Sequence, residues 1–487
     1  MENEFDVVIV GTGFAGLCVA IRLLEAGIQN IVLLERADGV GGTWRDNCYP
    51  GAACDVPSNL YSFSFESNPN WTRSFGTQSE ILAYIQHCAR KYNIEPLIRF
   101  NSEVVGATFV RESARWQVRC ADGRTFAGRA LVSGCGAFSK PALPDIPGLS
   151  DFEGDILHTA RWRADYEVHA KRIGVIGTGA SGIQVVPAIA PAADHLTVFQ
   201  RTPSWILPKA DRAVSARQRK LYEALPMAQK MVRRSLYWTQ EARVPGFNGK
   251  VPQILSVARR MALRHLHEQI PNDELRQALT PTYDIGCKRI LLANDYYPTF
   301  NRSNVSLETS GIERGCAAGL VTTNGDLHHL DTIICATGFH IADDLAPFPM
   351  VGLSGQELGA LWAAQGAEAY LGATIHDFPN LFTVVGPNTG VGHTSMIYMI
   401  EAATAYAVQG IDQIIRGGHR ILNVRPETQA AYNSELQDRL EKTVWTNGGC
   451  VSWYNTKQGK NTSLWPGQTF EYRRRTSRFD VADYQTL

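Results

Sequence analysis

The chain has 487 residues, 44% of them hydrophobic, with 43 glycines and 23 prolines. That length exceeds one ordinary domain and implies two or three. Lys plus Arg and Asp plus Glu stand at 47 each, so no charge excess points to nucleic acid or an acidic partner. The ten cysteines (18, 48, 54, 88, 120, 135, 287, 316, 335 and 450) form no C-x-x-C pair. That supports neither zinc-ligand spacing nor a disulfide framework, and predicts reduced thiols in a cytoplasmic protein.

Met1 to Phe5 runs straight into a strand, without a basic region, apolar run or cleavage site. Phe5-Asp-Val-Val-Ile-Val10 has the continuous apolar character of a buried strand. Gly11-Thr-Gly13-Phe-Ala-Gly16 follows, then an apolar helix over Leu17–Ala26 and a strand over Ile31–Leu34 that ends at Glu35. This is a βαβ unit with a dinucleotide fingerprint. Gly11 makes the tight turn, Gly13 lets pyrophosphate approach the backbone, and Gly16 lets helix and strand pack closely. The helix N-terminus offers free N–H groups to the phosphates.

Residues 41–55 then read GGTWRDNCYPGAACD. Disulfide-reducing flavoenzymes place their two redox cysteines at the positions held here by Trp44 and Tyr49. Cys48 and Cys54 fall elsewhere, so they are expected to be small buried hydrophobes.

The fingerprint recurs. Arg172–Ile176 predicts a strand, Gly177-Thr-Gly179-Ala-Ser-Gly182 the turn, Ile183 onward a helix, and His195–Phe199 the next strand, ending at Gln200-Arg201-Thr202. The run Ile173–Ala193 carries no charge, but its Gly-rich core and prolines make it strand, turn and helix rather than a membrane span. Glu35 lies 24 residues after Gly11, and Arg201 lies 24 after Gly177. The carboxylate suits ribose hydroxyls and repels a 2′-phosphate, whereas the guanidinium suits a 2′-phosphate. The first site is therefore expected to hold the adenosine half of FAD, and the second NADPH rather than NADH.

From Asp211 to Glu268 there are 12 Lys or Arg against 4 Asp or Glu, with apolar residues at roughly helical spacing. A helical insertion with a solvated basic face is the expectation. A surface that meets a membrane or acidic partners is the alternative.

Between the fingerprints, Phe152, Gly154, His158 and Trp162 form F-x-G-x-x-x-H-x-x-x-W, followed by Arg163. With this motif the chain resembles the class B flavoprotein monooxygenases, in their type I Baeyer–Villiger branch. The resemblance runs nearly the whole length. Gly42, Trp44, Tyr49, Pro50, Gly51 and Asp55 meet one family pattern, Lys288-Arg289 another, and Ala336-Thr-Gly-Phe339, Leu381–Pro387, Met396 and Ser452-Trp453-Tyr454 four more.

The resemblance implies an α/β fold of two Rossmann-like domains for FAD and NADPH, with a helical insertion in the NADPH domain. The expected layout is an FAD domain over 1–143 and 372–487 and an NADPH domain over 152–365, with the insertion at about 206–285. It implies that NADPH reduces FAD, that dioxygen forms a C4a-peroxyflavin, and that this attacks a ketone to give an ester or lactone. Arg289 is the implied stabiliser of the anion, since a guanidinium keeps its charge, and Asp55 its orienting partner. Thr43, Trp44, Asp55, Tyr61 and Met396 are expected beside FAD, and Thr202, Lys288 and Trp453 beside NADPH. His158 is expected to serve domain positioning and cofactor handling, not direct proton transfer. The expected partners are a small ketone and O2, with no nucleic acid and no transmembrane segment. The competing readings are a flavin monooxygenase of sulfides or amines, a non-oxygenating reductase, and a slow redox-sensing flavoprotein.

Overall fold

Val7, Val8 and Ile9 are fully buried because the strand Glu4–Val10 is flanked on both sides in parallel, by Ile31–Leu34 and by Thr125–Ser133. A strand covered on both faces needs no polar alternation, which explains its unbroken apolar run. The structure is a computed structural model and describes residues 3–340, 346–456 and 458–486.

The first sheet runs in the order 350–351, 104–110, 115–120, 125–133, 4–10, 31–34, 98–99. Strand 125–133 forks: its first half pairs antiparallel with Arg115–Cys120, and its second half pairs parallel with Leu381–Thr383. The second sheet is wholly parallel, in the order 305–308, 195–199, 172–176, 332–335, 155–158. A three-stranded antiparallel sheet, Ile312–Cys316, Gly319–Thr322 and Leu327–His329, stands beside it. The two fingerprints each lie in a crossover from one central parallel strand to its neighbour, at the carboxyl ends where such sheets bind ligands.

Residues 348–365, which the sequence reading assigned to the second unit, pack on the first sheet instead. Met350 and Val351 pair with Ala107 and Thr108, and Phe348, Leu358 and Trp362 join the core under that sheet. Edge pairing is a tertiary event with no local signature, so the return point lay beyond sequence reading.

The expected insertion carries helices Ala216–Ala224, Pro226–Glu241, Val244–Phe247, Gln253–Gln269 and Asp273–Ala278. It is anchored to the first unit. Arg233 Nη1 donates to the carbonyls of Asn59 and Ser62, each at 2.9 Å, and Glu241 accepts from the Thr469 N–H at 2.9 Å. On the outer side of Pro226–Glu241, Met227, Met231 and Trp238 are exposed, with Lys230 and Arg234 between them. No helix among the described residues is long and apolar enough to cross a membrane.

Candidate active site

The fingerprint glycines are fixed by contact. A Cβ on Gly16 would sit 1.9 Å from the Gly11 carbonyl oxygen, so no side chain fits there. Gly11 has φ +97°. A Cβ on Gly13 would approach only the Gly42 Cα, at 3.7 Å, and so leaves a cleft open. Gly13 caps the helix Phe14–Glu25 without any side-chain hydrogen bond and with no acid in the first turn. The helix therefore presents main-chain N–H groups to that cleft, which fits an anion such as a pyrophosphate.

Glu35 is buried at the end of its strand. Its Oε2 accepts from the Thr12 main-chain N–H at 3.1 Å and from Thr12 Oγ1 at 2.6 Å. Its Oε1 accepts from Ala37 N–H and from Arg45 Nη1, both at 3.1 Å. Thr12 and Arg45 were not singled out from the sequence. They orient the carboxylate, and the rotatable Thr12 hydroxyl is the donor that a ribose hydroxyl can replace.

A cavity of about 690 Å³ opens from the fingerprint. That volume is within the ~300–1,000 Å³ usual for small-molecule sites. Gly11, Gly13, Glu35, Thr43, Trp44, Asp55, Tyr61, Arg289, Met396 and Trp453 all line it. Trp44 donates from Nε1 to the Tyr61 hydroxyl at 3.0 Å, with the rings edge to face. Met396 is the first residue of the helix Met396–Ile415, whose Ser395 cap accepts from Ile397 N–H at 3.2 Å. A second helix N-terminus thus points at the cavity.

Asp55 and Arg289 meet in the cavity wall. Arg289 Nε donates to Asp55 Oδ2 at 2.7 Å and Nη2 to Oδ1 at 2.6 Å, a two-pronged pair. Side-chain exposures of 34% for Arg289 and 22% for Asp55 leave the pair open to the cavity while tied to each other. The Asp55 charge raises the Arg289 guanidinium further above its ordinary value, against burial, which opposes it. Burial pushes the Asp55 carboxyl up, but the charge and hydrogen bonds of Arg289 outweigh it and hold it below the carboxylate range. Both groups are therefore ionised at neutral pH. Beside them, burial pushes the Tyr454 phenol up to about 12, with Arg289 opposing through its charge and main-chain N–H.

The stretch 49–53 has a role that the sequence did not disclose. Tyr49 donates from its hydroxyl to Gln184 Oε1 at 2.8 Å, and Gln184 Nε2 donates to the Ala53 carbonyl at 3.0 Å. Gly51 has φ +83°, and a Cβ there would sit 2.5 Å from the Gln184 carbonyl oxygen. This turn docks the first unit on the helix Gly182–Ile189 of the second fingerprint. The signal was Gln184 inside an apolar helix. Cys48 and Cys54 are both free, and Cys54 is buried as expected, whereas Cys48 is exposed and points its thiol at the Trp162 carbonyl, 3.8 Å away.

The second fingerprint repeats the first. A Cβ on Gly182 would lie 2.3 Å from the Gly177 oxygen, while Gly179 has nothing within 4 Å. Thr178 Oγ1 donates to the Thr202 carbonyl at 2.8 Å, which ties the end of strand 195–199 to the turn. Lys288 stands close enough to Arg201 for its ammonium to be lowered, first by burial and then by that like charge. No ion pair of the described residues involves either one. Two unneutralised cations beside a glycine turn fit the 2′-phosphate of NADPH. Arg201, Thr202 and Lys288 do not line the cavity, although Lys288 directly precedes Arg289 in the chain.

Of the 152–162 stretch, Arg161 lines the cavity, whereas Phe152, Gly154, His158 and Trp162 do not. Gly154 has no room for a Cβ, which would fall 2.4 Å from Phe152 Cζ. His158 Nδ1 accepts from Ala160 N–H at 3.1 Å, and its ring stands 6.1 Å from that of Phe339, edge to face. Burial, then partly opposed by the main chain of Gly338, lowers its imidazole below the ordinary value. Trp162 is buried with Tyr49 and Ala52 in one core.

One expectation fails. Cys287 and Cys450 form a disulfide, with Cα atoms 6.2 Å apart and a sequence separation of 163. A lone pair this distant shows no spacing pattern, which is why the expectation of ten reduced thiols missed it. The other eight cysteines are free.

Residues 5–342 match the family model described as flavin-binding monooxygenase-like. The chain is 45% identical to a Baeyer–Villiger monooxygenase of Streptomyces coelicolor, over 100% of this chain and 93% of that protein. It is 44% identical to one of Pseudomonas aeruginosa, over 98% and 90%. Among solved structures, an oxidised steroid monooxygenase bound to NADP superposes with a TM-score of 0.88 at 32% identity, covering 100% and 99% of the two chains. Cyclohexanone monooxygenase from Rhodococcus sp. Phi1 bound to NADP+ gives 0.88 at 28% identity, covering 99% of each.

Proposed function

The chain belongs to the flavin-binding monooxygenase-like family, in its Baeyer–Villiger branch, and from that premise we propose that it oxygenates a small ketone to an ester or lactone, using NADPH, FAD and O2. The flavin, when bound and reduced by NADPH, supplies the activation of dioxygen. The chain supplies the rest. Gly11, Gly13 and the helix Phe14–Glu25 hold the flavin pyrophosphate, and Glu35 takes the adenosine ribose. Thr43, Trp44, Tyr61 and Met396 shape the far end of the cavity. Gly177, Gly179 and Gly182 would take the NADPH pyrophosphate, Arg201, Thr202 and Lys288 would hold the 2′-phosphate, and Trp453 would help to hold the coenzyme. FAD belongs to residues 1–143 with the later returning segment, and NADPH to the unit that begins at 152.

The observation that carries the proposal is the two-pronged Arg289–Asp55 pair in the wall of the flavin cavity. Negative charge develops where activated oxygen meets a ketone carbonyl. A preorganised guanidinium in a site shielded from water stabilises that charge at little reorganisation cost. Asp55 keeps Arg289 aimed, and Tyr454 lines the cavity beside them. A sulfide or amine is itself the nucleophile and develops no anion there, so the pair favours the ketone. The test is NADPH consumption over linear, cyclic and aryl ketones and one thioether, with products identified. Ester or lactone formation is expected; a panel that yields only sulfoxide or hydrogen peroxide overturns the proposal.

A further inference from the structure

We propose that Cys287 and Cys450 are positioning residues of the oxygenation site, because their disulfide fixes the turn that carries Arg289 against the segment that carries Trp453 and Tyr454. This rests on the oxygenation reading above. The crosslink is close to the chemistry on both strands: Cys287 is two residues before Arg289, and Cys450 is four before Tyr454.

The surroundings are built for this approach. Asp284 N–H donates to the Gly448 carbonyl at 3.0 Å, and Cys287 N–H donates to the Asp284 carbonyl at 3.1 Å. A Cβ on Gly448 would lie 2.6 Å from Cys287 Cβ and 2.9 Å from its sulfur, so only glycine lets the two segments come together. Beyond the bond, Tyr454 is buried against Arg289, and Trp453 leans on Phe138 with ring centroids 6.2 Å apart.

Apart from the buried Tyr454, the segment after Cys450 is held mainly to itself. Among the described residues, the main-chain N–H groups of 451–456 bond locally. Asn455 N–H goes to Ser452, Tyr454 N–H to Ser452 Oγ, Thr456 N–H to Lys460, and Thr462 N–H to Tyr454. Across to that turn runs one hydrogen bond, from the Arg289 main-chain N–H to the Tyr454 phenol oxygen. The disulfide is the covalent lateral tie between the pair that stabilises charge and the aromatic residues that exclude water. With the tie cut, Tyr454 and Trp453 lose their fixed distance from Arg289. Water then enters, and NADPH is consumed without oxygenation of the ketone.

The test uses the full chain loaded with FAD. Alkylation and peptide mapping without reductant first establish the bond between the peptides of Cys287 and Cys450. A small dithiol then reduces it: the two sulfurs take up two electrons and two protons, and the dithiol closes to its cyclic disulfide. Oxygenated product per NADPH is expected to fall by about tenfold or more, inside the ~10²-fold that an ångström of misplacement costs. Hydride transfer from NADPH is expected to stay unchanged, and hydrogen exchange over 450–456 to rise. Reoxidation by hydrogen peroxide, which leaves as two waters, restores both readouts. Cys287→Ser and Cys450→Ser show the low ratio with or without dithiol, whereas Cys316→Ser behaves as wild type. The proposal is overturned if the mapped bond is absent, or if reducing it moves neither the ratio nor the exchange. Should no ketone be oxygenated in any redox state, the oxygenation reading fails, and the exchange readout alone decides whether the bond positions the segment. If the serine variants do not fold, reversible reduction of the wild type carries the test.

Discussion

Arg289 and Asp55 are 234 residues apart in sequence and share two hydrogen bonds, of 2.7 and 2.6 Å. The geometry fixes the guanidinium plane, and with it the direction of the remaining N–H groups. Arg289→Ala is expected to accept NADPH and reduce flavin normally while oxygenated product falls by about 10²–10³, the cost of one preorganised donor. Arg289→Lys keeps the charge but not the two-pronged pair, and should recover only part of the loss. Rapid-mixing absorbance gives the reductive step and product analysis the oxidative one. Product within a few-fold of wild type in Arg289→Ala would remove the arginine from the mechanism. Because Asp55 is held below the carboxylate range, its contribution is complete above its ordinary value of about 3.9 and is lost only as pH falls below it. The pair therefore adds no pH dependence near neutrality.

Arg201 and Lys288 are neighbouring cations, and among the described residues neither makes an ion pair. An added 2′-phosphate relieves their repulsion, which NADH cannot do. Arg201→Ala is expected to raise the KM for NADPH by about tenfold or more, the scale of one charge-assisted bond to phosphate, and to leave that for NADH nearly unchanged. Lys288→Ala should act in the same direction. Steady-state kinetics with both coenzymes decide, and equal effects on the two remove the phosphate assignment.

Gly51 touches the Gln184 carbonyl across the two units. Gly51→Ala meets both a positive φ and a 2.5 Å clash with backbone, so one segment must retreat. The expected cost is about 1–3 kcal/mol, the range for a residue held in a sparsely populated conformation, with a matching fall in Tm. The Tyr49–Gln184 contact is also expected to loosen, so that NADPH reduces the flavin more slowly. Calorimetry and the reductive rate check the two effects separately.

What the sequence disclosed depended on range. The glycines at 11, 13, 16, 177, 179 and 182 act within a single βαβ crossover, so their spacing alone reports them. Glu35 was legible for the same reason, yet Thr12 and Arg45, which hold it, were not, because threonine and arginine near a turn are common. Asp55 and Arg289 became visible only through a family resemblance; as isolated residues they are an ordinary loop acid and one member of a Lys-Arg pair. The Tyr49–Gln184 clasp, the disulfide and the early return of the chain at Met350 join segments with no shared pattern. Cysteine spacing reads closely spaced ligands or dense frameworks, and two thiols 163 residues apart belong to neither.

His158 carries a separate pH signature. It is buried, its Nδ1 accepts from Ala160 N–H, and burial lowers its imidazole below the ordinary histidine value, with the Arg161 charge adding to the effect and the main chain of Gly338 opposing it. The folded protein thus disfavours the protonated ring. A group with a depressed folded value contributes fully above its unfolded pKa, about 6.5 for histidine, and loses that contribution as pH falls through it toward the folded value. Tm of the wild type is therefore expected to drop on going from pH 7 to pH 5. His158→Asn keeps an acceptor for the Ala160 N–H but cannot titrate, so its Tm should fall less over the same interval, while its value at pH 7 stays close to wild type. Since His158 lies outside the cavity lining, flavin content should not change. Thermal melts of both proteins across that interval settle the point: parallel curves would show that the imidazole is not linked to folding, and a loss of bound flavin in His158→Asn would put it in contact with the cofactor instead.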